Sequence, residues 1–316
     1  MSADDTDGPQ HLVRHEAFLY AGDGEYLDVA ASFVQHGLAG GDAVVAAVTQ
    51  DRIDLLRPAL GDAAERVLFV DVTQIGRNPT RLLAAWHQVM EAYVAPGQRL
   101  RGLGQPVWPG RTPAELLECH RHEALANIIR TAVPAWVLCP YDTSVFDPAV
   151  IEDVCRTHPV ILQGGRRRAS RSYVGGEGVR AMLTSPLPEP DRPVVEHDVE
   201  PTRLRELRSF VADHATRAGL ASDRVDDLVL AVNELATNSV VHGGGRGTLR
   251  AWSDGDTVTH EVRDRGRIEE PLVGRRRPAP GQTAGRGLWV VNELCDLVQL
   301  RSSPAGTVVR LHMHRR

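Results

Sequence analysis

Four short constellations in the last third of the chain carry residue types suited to a magnesium-bound nucleotide. The first is VNELATNSVVHG, residues 232–243, whose pattern predicts a helix. Glu234 and Asn238 stand four apart, so a helix stacks them on one face, with His242 near the same stripe one turn on. Val225, Leu228, Val232, Leu235 and Ser239 fall on a different, mostly apolar stripe that can pack on a sheet. Asparagine offers a neutral oxygen to a hard cation, and glutamate can accept a proton from an attacking hydroxyl. A solvated Glu/Asn face on an ordinary helix would look the same.

The second constellation is Val262-Arg263-Asp264-Arg265-Gly266, an aspartate at a strand end with glycine two residues on. A buried carboxylate there can accept a hydrogen bond from an exocyclic amine, and the glycine lets a flat base approach the backbone. The third, Gly285-Arg286-Gly287-Leu288-Trp289, opens a predicted helix whose first amides and dipole suit a phosphate. The fourth is Gly306-Thr307-Val308-Val309-Arg310, where a threonine enters the last strand. Each has an everyday alternative: an Asx turn, a plain helix start, a β-prone threonine after a turn glycine. Their order is more specific than any one of them.

These residues need a scaffold. Strands are predicted at 194–199, 248–254, 257–264, 297–302 and 307–313, and helices at 202–218, 223–241 and 286–295. A helical layer on one face of a mostly antiparallel or mixed sheet is an α+β sandwich. The earlier part of the chain differs. Strand candidates at 17–20, 43–48, 67–72, 99–102, 136–139 and 160–162 alternate with helices near 25–38, 51–59, 80–94, 113–132 and 148–156. That alternation predicts an α/β domain, a parallel sheet with helices on both faces. Between the two, Gly164-Gly165-Arg166-Arg167-Arg168 leads to the proline-rich SPLPEPDRP at 185–193, which predicts an extended linker. The expected organisation is therefore one domain over 11–165, a linker over 166–193 and a second domain over 194–316.

Composition narrows the chemistry. The chain has 316 residues, 42% hydrophobic and 24% charged, with a formal net charge of -5. Both halves can bury a core, and no basic excess points to nucleic acid. All 36 basic residues are arginine. Without lysine there is no P-loop, no eukaryotic-type protein kinase strand lysine and no pyridoxal-phosphate Schiff base. Any ATP site must rest on carboxylate, amide, magnesium and backbone groups. Cys119, Cys139, Cys155 and Cys295 form no CxxC pair or metal spacing, and read as reduced, mostly buried thiols. The polar opening MSADDTDGPQ predicts neither signal peptide nor anchor, and no apolar run approaches a membrane span. The expectation is a soluble, cytoplasmic protein.

ExxxN on a helix, DxG after a strand, a lid, GxG before a helix and GT on the final strand resemble, in that order, the boxes of the GHKL (Bergerat-fold) ATPases. Within that superfamily, residues 194–314 are similar to the anti-sigma-factor serine/threonine kinases. The resemblance implies ATP and Mg2+ as cofactors, with Glu234 as general base and Asn238 as magnesium ligand. It implies Asp264 and Thr307 at adenine, and Gly266, Gly285, Arg286 and Gly287 around base and phosphates. It further implies an anti-sigma-factor antagonist of the STAS class, or a sigma factor, as partner, and a homodimer. Two departures stand out. Arg267 and Ile268 follow Gly266, so the second glycine of DxGxG is not in place, and the lid carries Arg275-Arg276-Arg277. The arginines suit a γ-phosphate or an acidic partner, or make a solvated basic loop. An ATP-gated binding module without phosphotransfer stays open beside the kinase. A sensor histidine kinase also stays open: His122-Glu123-Ala124-Leu125 superficially resembles an H-box, but inside the α/β domain.

The N-terminal half resembles the MEDS sensory domain, related in fold to RecA-like ATPases. The matching stretches are HEAFLY (15–20), FVQHGLAGGD (33–42), VLCPYD (137–142) and THPVIL (157–162). The resemblance implies sensing of a small molecule or partner. His15, His36, Tyr141 and Asp142 are the polar residues to follow there.

Overall fold

The computed structural model describes residues 11–279 and 285–315. It divides into two compact units between Val179 and Arg180. The first unit runs β1 (His11–Leu12), β2 (Arg14–Tyr20), α1 (Gly22–Ala39), β3 (Ala43–Val48), α2 (Gln50–Leu60), β4 (Val67–Asp71), α3 (Val72–Ile75) and α4 (Leu82–Tyr93). It continues through β5 (Leu100–Gly104), α5 (Pro113–Ala126), β6 (Arg130–Thr131), β7 (Ala135–Asp142), α6 (Pro148–Thr157), β8 (Val160–Gln163) and β9 (Arg166–Ala169). α7 (Gly175–Thr184) carries the chain across the division.

The main sheet of this unit has the order β4-β3-β5-β7-β2-β8-β9. Its pairings are parallel except for the edge strand β9, which is antiparallel to β8. Strands covered on both faces need apolar residues at every position, which explains runs such as AVVAAV. Alternate residues serve opposite layers. Phe18, Tyr20, Val44 and Ala46 pack with Phe33 and Leu56 of α1 and α2. Ala17, Leu19, Cys139 and Tyr141 pack with Cys119 and Val154 of α5 and α6.

Two local features depart from the sequence expectation. The helix predicted over 113–132 stops at Ala126. The Asn127 side-chain amide donates to the carbonyls of Glu123, Ala124 and Thr157, capturing the last turn. The start of the expected linker, residues 166–169, is instead β9. Gly164 and Gly165 have φ of +54° and +70°, the conformation of a two-residue hairpin loop, and they fold the arginines back onto β8. Arg167 there donates to the buried Glu16 carboxylate at 3.0 Å.

The second unit contains β10 (Val195–Val199), α8 (Leu204–Arg217), α9 (Ser222–His242), β11 (Gly247–Asp254), β12 (Thr257–Asp264), α10 (Arg286–Leu294), β13 (Leu297–Ser303) and β14 (Gly306–His314). Its five strands form an antiparallel sheet in the order β10-β11-β12-β14-β13. The α9 stripe of Val225, Leu228, Val232 and Leu235 packs with α8 and α10 against Leu249, Val258, Val262 and Leu311. This is the expected two-layer α+β arrangement. Among the described residues no helix is long and apolar enough to cross a membrane.

The opposite face of this sheet is polar yet buried. Glu261, fully buried on β12, receives Arg250 at 3.0 Å, Arg263 at 2.6 Å and Arg310 at 2.7 Å. The proline-rich stretch is tied to the same cluster. Pro188 O accepts from Arg310, and the Glu189 carboxylate accepts from Arg250 and Arg263. Removing one partner of a buried ion pair leaves its charge uncompensated. Glu261→Ala is therefore expected to destabilise this unit by about 3–5 kcal/mol, measured by urea unfolding. A loss below about 1 kcal/mol would mean that the cluster is screened by water like a surface pair.

His260 sits on the helix-facing side of β12, fully buried and edge-on to His214 at 4.9 Å between ring centres. Burial, reinforced by His214, pushes its pKa down from 6.5 to about 3. The folded state thus holds a neutral ring where the unfolded chain binds a proton. Stability from this residue is full above pH 6.5 and falls as pH drops toward 3, by about 1.4 kcal/mol per unit. Between pH 6.5 and 5, His260→Leu should flatten the decline seen in the unchanged protein. An identical slope in both would discount the residue.

Candidate functional site

The C-terminal half of α9, the end of β12, the start of β14 and the first turn of α10 converge on a pocket of about 330 Å³. Asn238, Asp264, Gly266, Gly285, Gly287 and Thr307 all line it. The sheet register explains part of this convergence, because Asp264 is paired directly with Thr307.

Asp264 is held from two sides. Its Oδ1 accepts from the Gly266 amide at 2.8 Å and its Oδ2 from Ser239 Oγ at 2.6 Å. The two bonds together fix the carboxylate plane. Thr307 Oγ1 donates to Gly266 O at 2.8 Å, so the 2.9 Å contact with Ser302 Oγ has Ser302 as donor. Ser302 Oγ in turn accepts from the Ile268 amide at 2.8 Å. A chain of four hydrogen-bonding groups thereby sets the loop after β12. Ser239 and Ser302 were not among the sequence candidates. In the sequence Ser239 falls on the packing stripe of α9, but a buried hydroxyl requires a partner.

Gly285 is the N-cap of α10 with φ of +78°, a left-handed turn that brings the helix start to the pocket. At Gly287 a Cβ would meet Glu234 Oε2 at 2.8 Å and Asn238 Nδ2 at 3.4 Å. The bare backbone is what allows α10 to begin against the Glu234/Asn238 face of α9. Glu234 itself is half-buried beside this turn, next to the lining rather than in it. Arg286 has an exposed side chain outside the lining. His242 lies at the rim, exposed.

The stretch after Gly266 differs from a plain solvated loop. Ile268 and Val273 contribute apolar wall, with Ile268 where the second glycine of the motif would stand. Gly274 packs on Leu288, and its carbonyl accepts from Asn292 at 2.7 Å. Arg275 is buried, whereas Arg276 and Arg277 are exposed. The part of the predicted lid at 280–284 lies outside the described residues.

A second pocket, about 380 Å³, lies at the carboxyl ends of the parallel strands of the first unit. Tyr20, Thr49, Arg52, Gln105, Trp108 and Asp142 line it. Crevices at this edge of an α/β sheet are the usual ligand position. Gln105 Oε1 accepts from the Thr49 amide at 3.1 Å, and Arg52 lies 3.8 Å from Asp142. Of the four polar residues followed from the sequence, Asp142 lines this pocket, and its Oδ1 also accepts from the Ser144 amide at 2.9 Å. His36 does not: it is exposed and bonded to Ser32 O within α1. Tyr141 and His15 point instead into a buried cluster on the α5/α6 side.

Residues 14–159 match the MEDS family, the methanogen/methylotroph DcmR sensory domain. Residues 198–313 match the histidine kinase-like ATPase domain. Anti-sigma F factors of Thermoanaerobacter sp. strain X514 and Thermoanaerobacter pseudethanolicus are each 30% identical over 114 residues, which is 33% of this chain and 80% of theirs. The anti-sigma F factor of Caldanaerobacter subterraneus is 29% identical over the same length. A solved structure of RsbU and RsbW domains from Mycobacterium tuberculosis aligns with 39% of this chain at 21% identity and a TM-score of 0.31. The alignment spans about a third, 32%, of that structure's chain.

Proposed function

Because the chain belongs, through its C-terminal domain, to the anti-sigma F factor family, we propose that it is a partner-switching regulator driven by Mg-ATP. In this reading the C-terminal domain phosphorylates a serine or threonine of a STAS-type anti-sigma-factor antagonist, or sequesters that antagonist or a sigma factor. The observation that carries it is the braced Asp264 carboxylate at the floor of a pocket that also holds Asn238, Thr307 and the glycines of α10.

Each residue then has a chemical task. Asp264 accepts from the adenine exocyclic amine, with Thr307 and Gly266 completing the edge that receives the base. Asn238 offers its side-chain oxygen to Mg2+. The amides of the Gly285–Gly287 turn meet the phosphates at the positive end of the α10 dipole. Arg286, exposed at that turn, is assigned to phosphate from outside the lining. When bound, magnesium would supply neutralisation of phosphate charge, and Glu234 would accept the proton of the partner's hydroxyl. The domain works as a homodimer.

The N-terminal domain, read as RecA-like, is the sensor, and its strand-end pocket takes the small-molecule signal. Tyr20, Arg52 and Asp142 supply the polar contacts there.

Ile268 on the pocket wall favours a second reading, a binding module in which ATP only orders the loops that hold a partner. One experiment separates the two. The full chain is incubated with ATP, magnesium and candidate STAS-type antagonists, and the antagonists are searched for phosphoserine and phosphothreonine by mass spectrometry. Phosphate on one antagonist is the expected result. Intact ATP binding with no phosphate on any partner would overturn the kinase reading in favour of the module.

A further inference from the structure

Four potential ligands that share no sequence motif meet inside the first unit. His15 is on β2, Glu123 on α5, Cys139 on β7 and His158 directly after α6. All four are buried, none more than 3% exposed. Their ligand atoms lie within 4.8 Å of one another. Glu123 Oε2 is 2.6 Å from His15 Nε2 and 3.2 Å from His158 Nε2. Cys139 Sγ is 3.3 Å from His15 Nε2 and 3.7 Å from Glu123 Oε2.

The surroundings decide where the imidazole protons sit. The Asn127 amide nitrogen is committed to three backbone carbonyls, so the group facing His15 Nδ1 at 3.2 Å is the carbonyl oxygen, an acceptor. His158 Nδ1 faces Val154 O at 2.9 Å, also an acceptor. Both rings therefore hold a proton on Nδ1, and each neutral ring aims an Nε2 lone pair at the same centre. Glu123 Oε1 accepts from Tyr141 OH at 2.8 Å, which leaves Oε2 for the centre. Two lone pairs and a carboxylate oxygen directed at one buried point repel unless positive charge lies between them. A proton on His15 Nε2 would answer Glu123 at 2.6 Å but leave the His158 lone pair, 3.2 Å from the same oxygen, unmatched. Charging both rings would place two imidazoliums in a fully buried space at a large desolvation cost.

We propose that His15, Glu123, Cys139 and His158 form a closed four-ligand site for a divalent first-row transition metal, zinc by preference. Two imidazole nitrogens, one thiolate and one carboxylate oxygen are a tetrahedral zinc set. The two anionic ligands balance a doubly charged ion. Asn127, Val154 O and Tyr141 orient the ligands from behind, as hydrogen-bond partners of metal ligands do. No open position is left for a reacting water, so the site is structural: it clamps α5 and α6 to the strands that also shape the strand-end pocket. Metal-free, burial and then the Glu123 carboxylate push the Cys139 thiol well above its ordinary range. A bound dication reverses that and binds the thiolate.

The test uses the full chain expressed in zinc-supplemented medium, with metal measured by mass spectrometry after gel filtration. About one zinc per chain is expected. Stripped protein titrated with Co2+ should develop a thiolate-to-cobalt charge-transfer band and tetrahedral visible absorption. Cys139→Ser should abolish the band, and Cys155→Ser should leave it intact. Asn127→Ala, which keeps all four ligands, should weaken metal affinity about 10- to 100-fold. If Cys139→Ser fails to fold, the cobalt titration of the unchanged chain decides. A folded, stripped chain that takes up neither zinc nor cobalt from stoichiometric solution would overturn the proposal. So would zinc binding that Cys139→Ser leaves at full strength.

Discussion

Replacing Asp264 with asparagine is expected to weaken Mg-ATP binding about 10- to 100-fold while leaving the fold intact. The carboxylate accepts from Gly266 N and Ser239 Oγ, and its remaining lone pairs face the pocket. A hydrogen bond to a charged acceptor contributes about 1.5–3 kcal/mol, and each 1.4 kcal/mol is a factor of ten in affinity. Asparagine is nearly isosteric, so packing changes little. Its amide end, however, is a donor, so it cannot replace the carboxylate oxygen in accepting from the Gly266 amide or the adenine amine. Facing Ser239, it turns that hydroxyl to Leu235 O, so the charged acceptor is lost. Isothermal titration of both proteins with ATP and magnesium measures the difference. Equal affinities would show that the base is not read by this residue. Partner response should weaken in parallel, because in this account the nucleotide sets the loops after β12.

The second large effect belongs to Glu234. Glu234→Ala is expected to lower phosphotransfer about 10²- to 10⁴-fold, the usual contribution of a general base. ATP affinity should change by no more than a few-fold, since the carboxylate sits beside the Gly287 turn rather than in the lining. A single-turnover assay with labelled ATP and a phosphorylatable antagonist separates the two quantities. Loss of both binding and transfer would make the residue a structural support of the α9/α10 contact. An unchanged rate would remove it from the chemistry.

The two domains were legible from periodicity because their segments obey local rules. Unbroken β-branched runs such as AVVAAV mark strands buried on both faces, and the α9 stripe marks a helix with one wet side. The pocket-lining residues around Asp264 and Gly285 were legible for a related reason: each set lies on one loop, close in sequence. What sequence hid was tertiary. Ser239 and Ser302 brace the site from separate elements, and only the β13/β14 register puts Ser302 against Thr307. The four-residue cluster of the first unit was hidden more deeply, since its members come from two strands and two helix ends. Cys119, which neighbours His120 and His122 in the chain, takes no part in that cluster. Cys119 donates to Pro106 O, and burial pushes its thiol up to about 12. At 166–168 the charge run reads as linker in the sequence, because a Gly-Gly hairpin turn is a weak signal beside it. Likewise, nothing in SPLPEPDRP announces that Glu189 would be held by Arg250 and Arg263.

In the proposed function, the pocket between α9, β12 and α10 reads adenine and magnesium together. The most direct measurement is a competition titration of the full chain with a fluorescent ATP analogue, with and without Mg2+, displaced by ATP or by GTP. Guanine presents a carbonyl oxygen where adenine presents the amine that Asp264 accepts, so two acceptors would face each other. The expected result is one site per chain, binding that depends on magnesium, displacement by ATP and at least about tenfold weaker displacement by GTP. Absence of saturable binding, or GTP displacing as well as ATP, would contradict it.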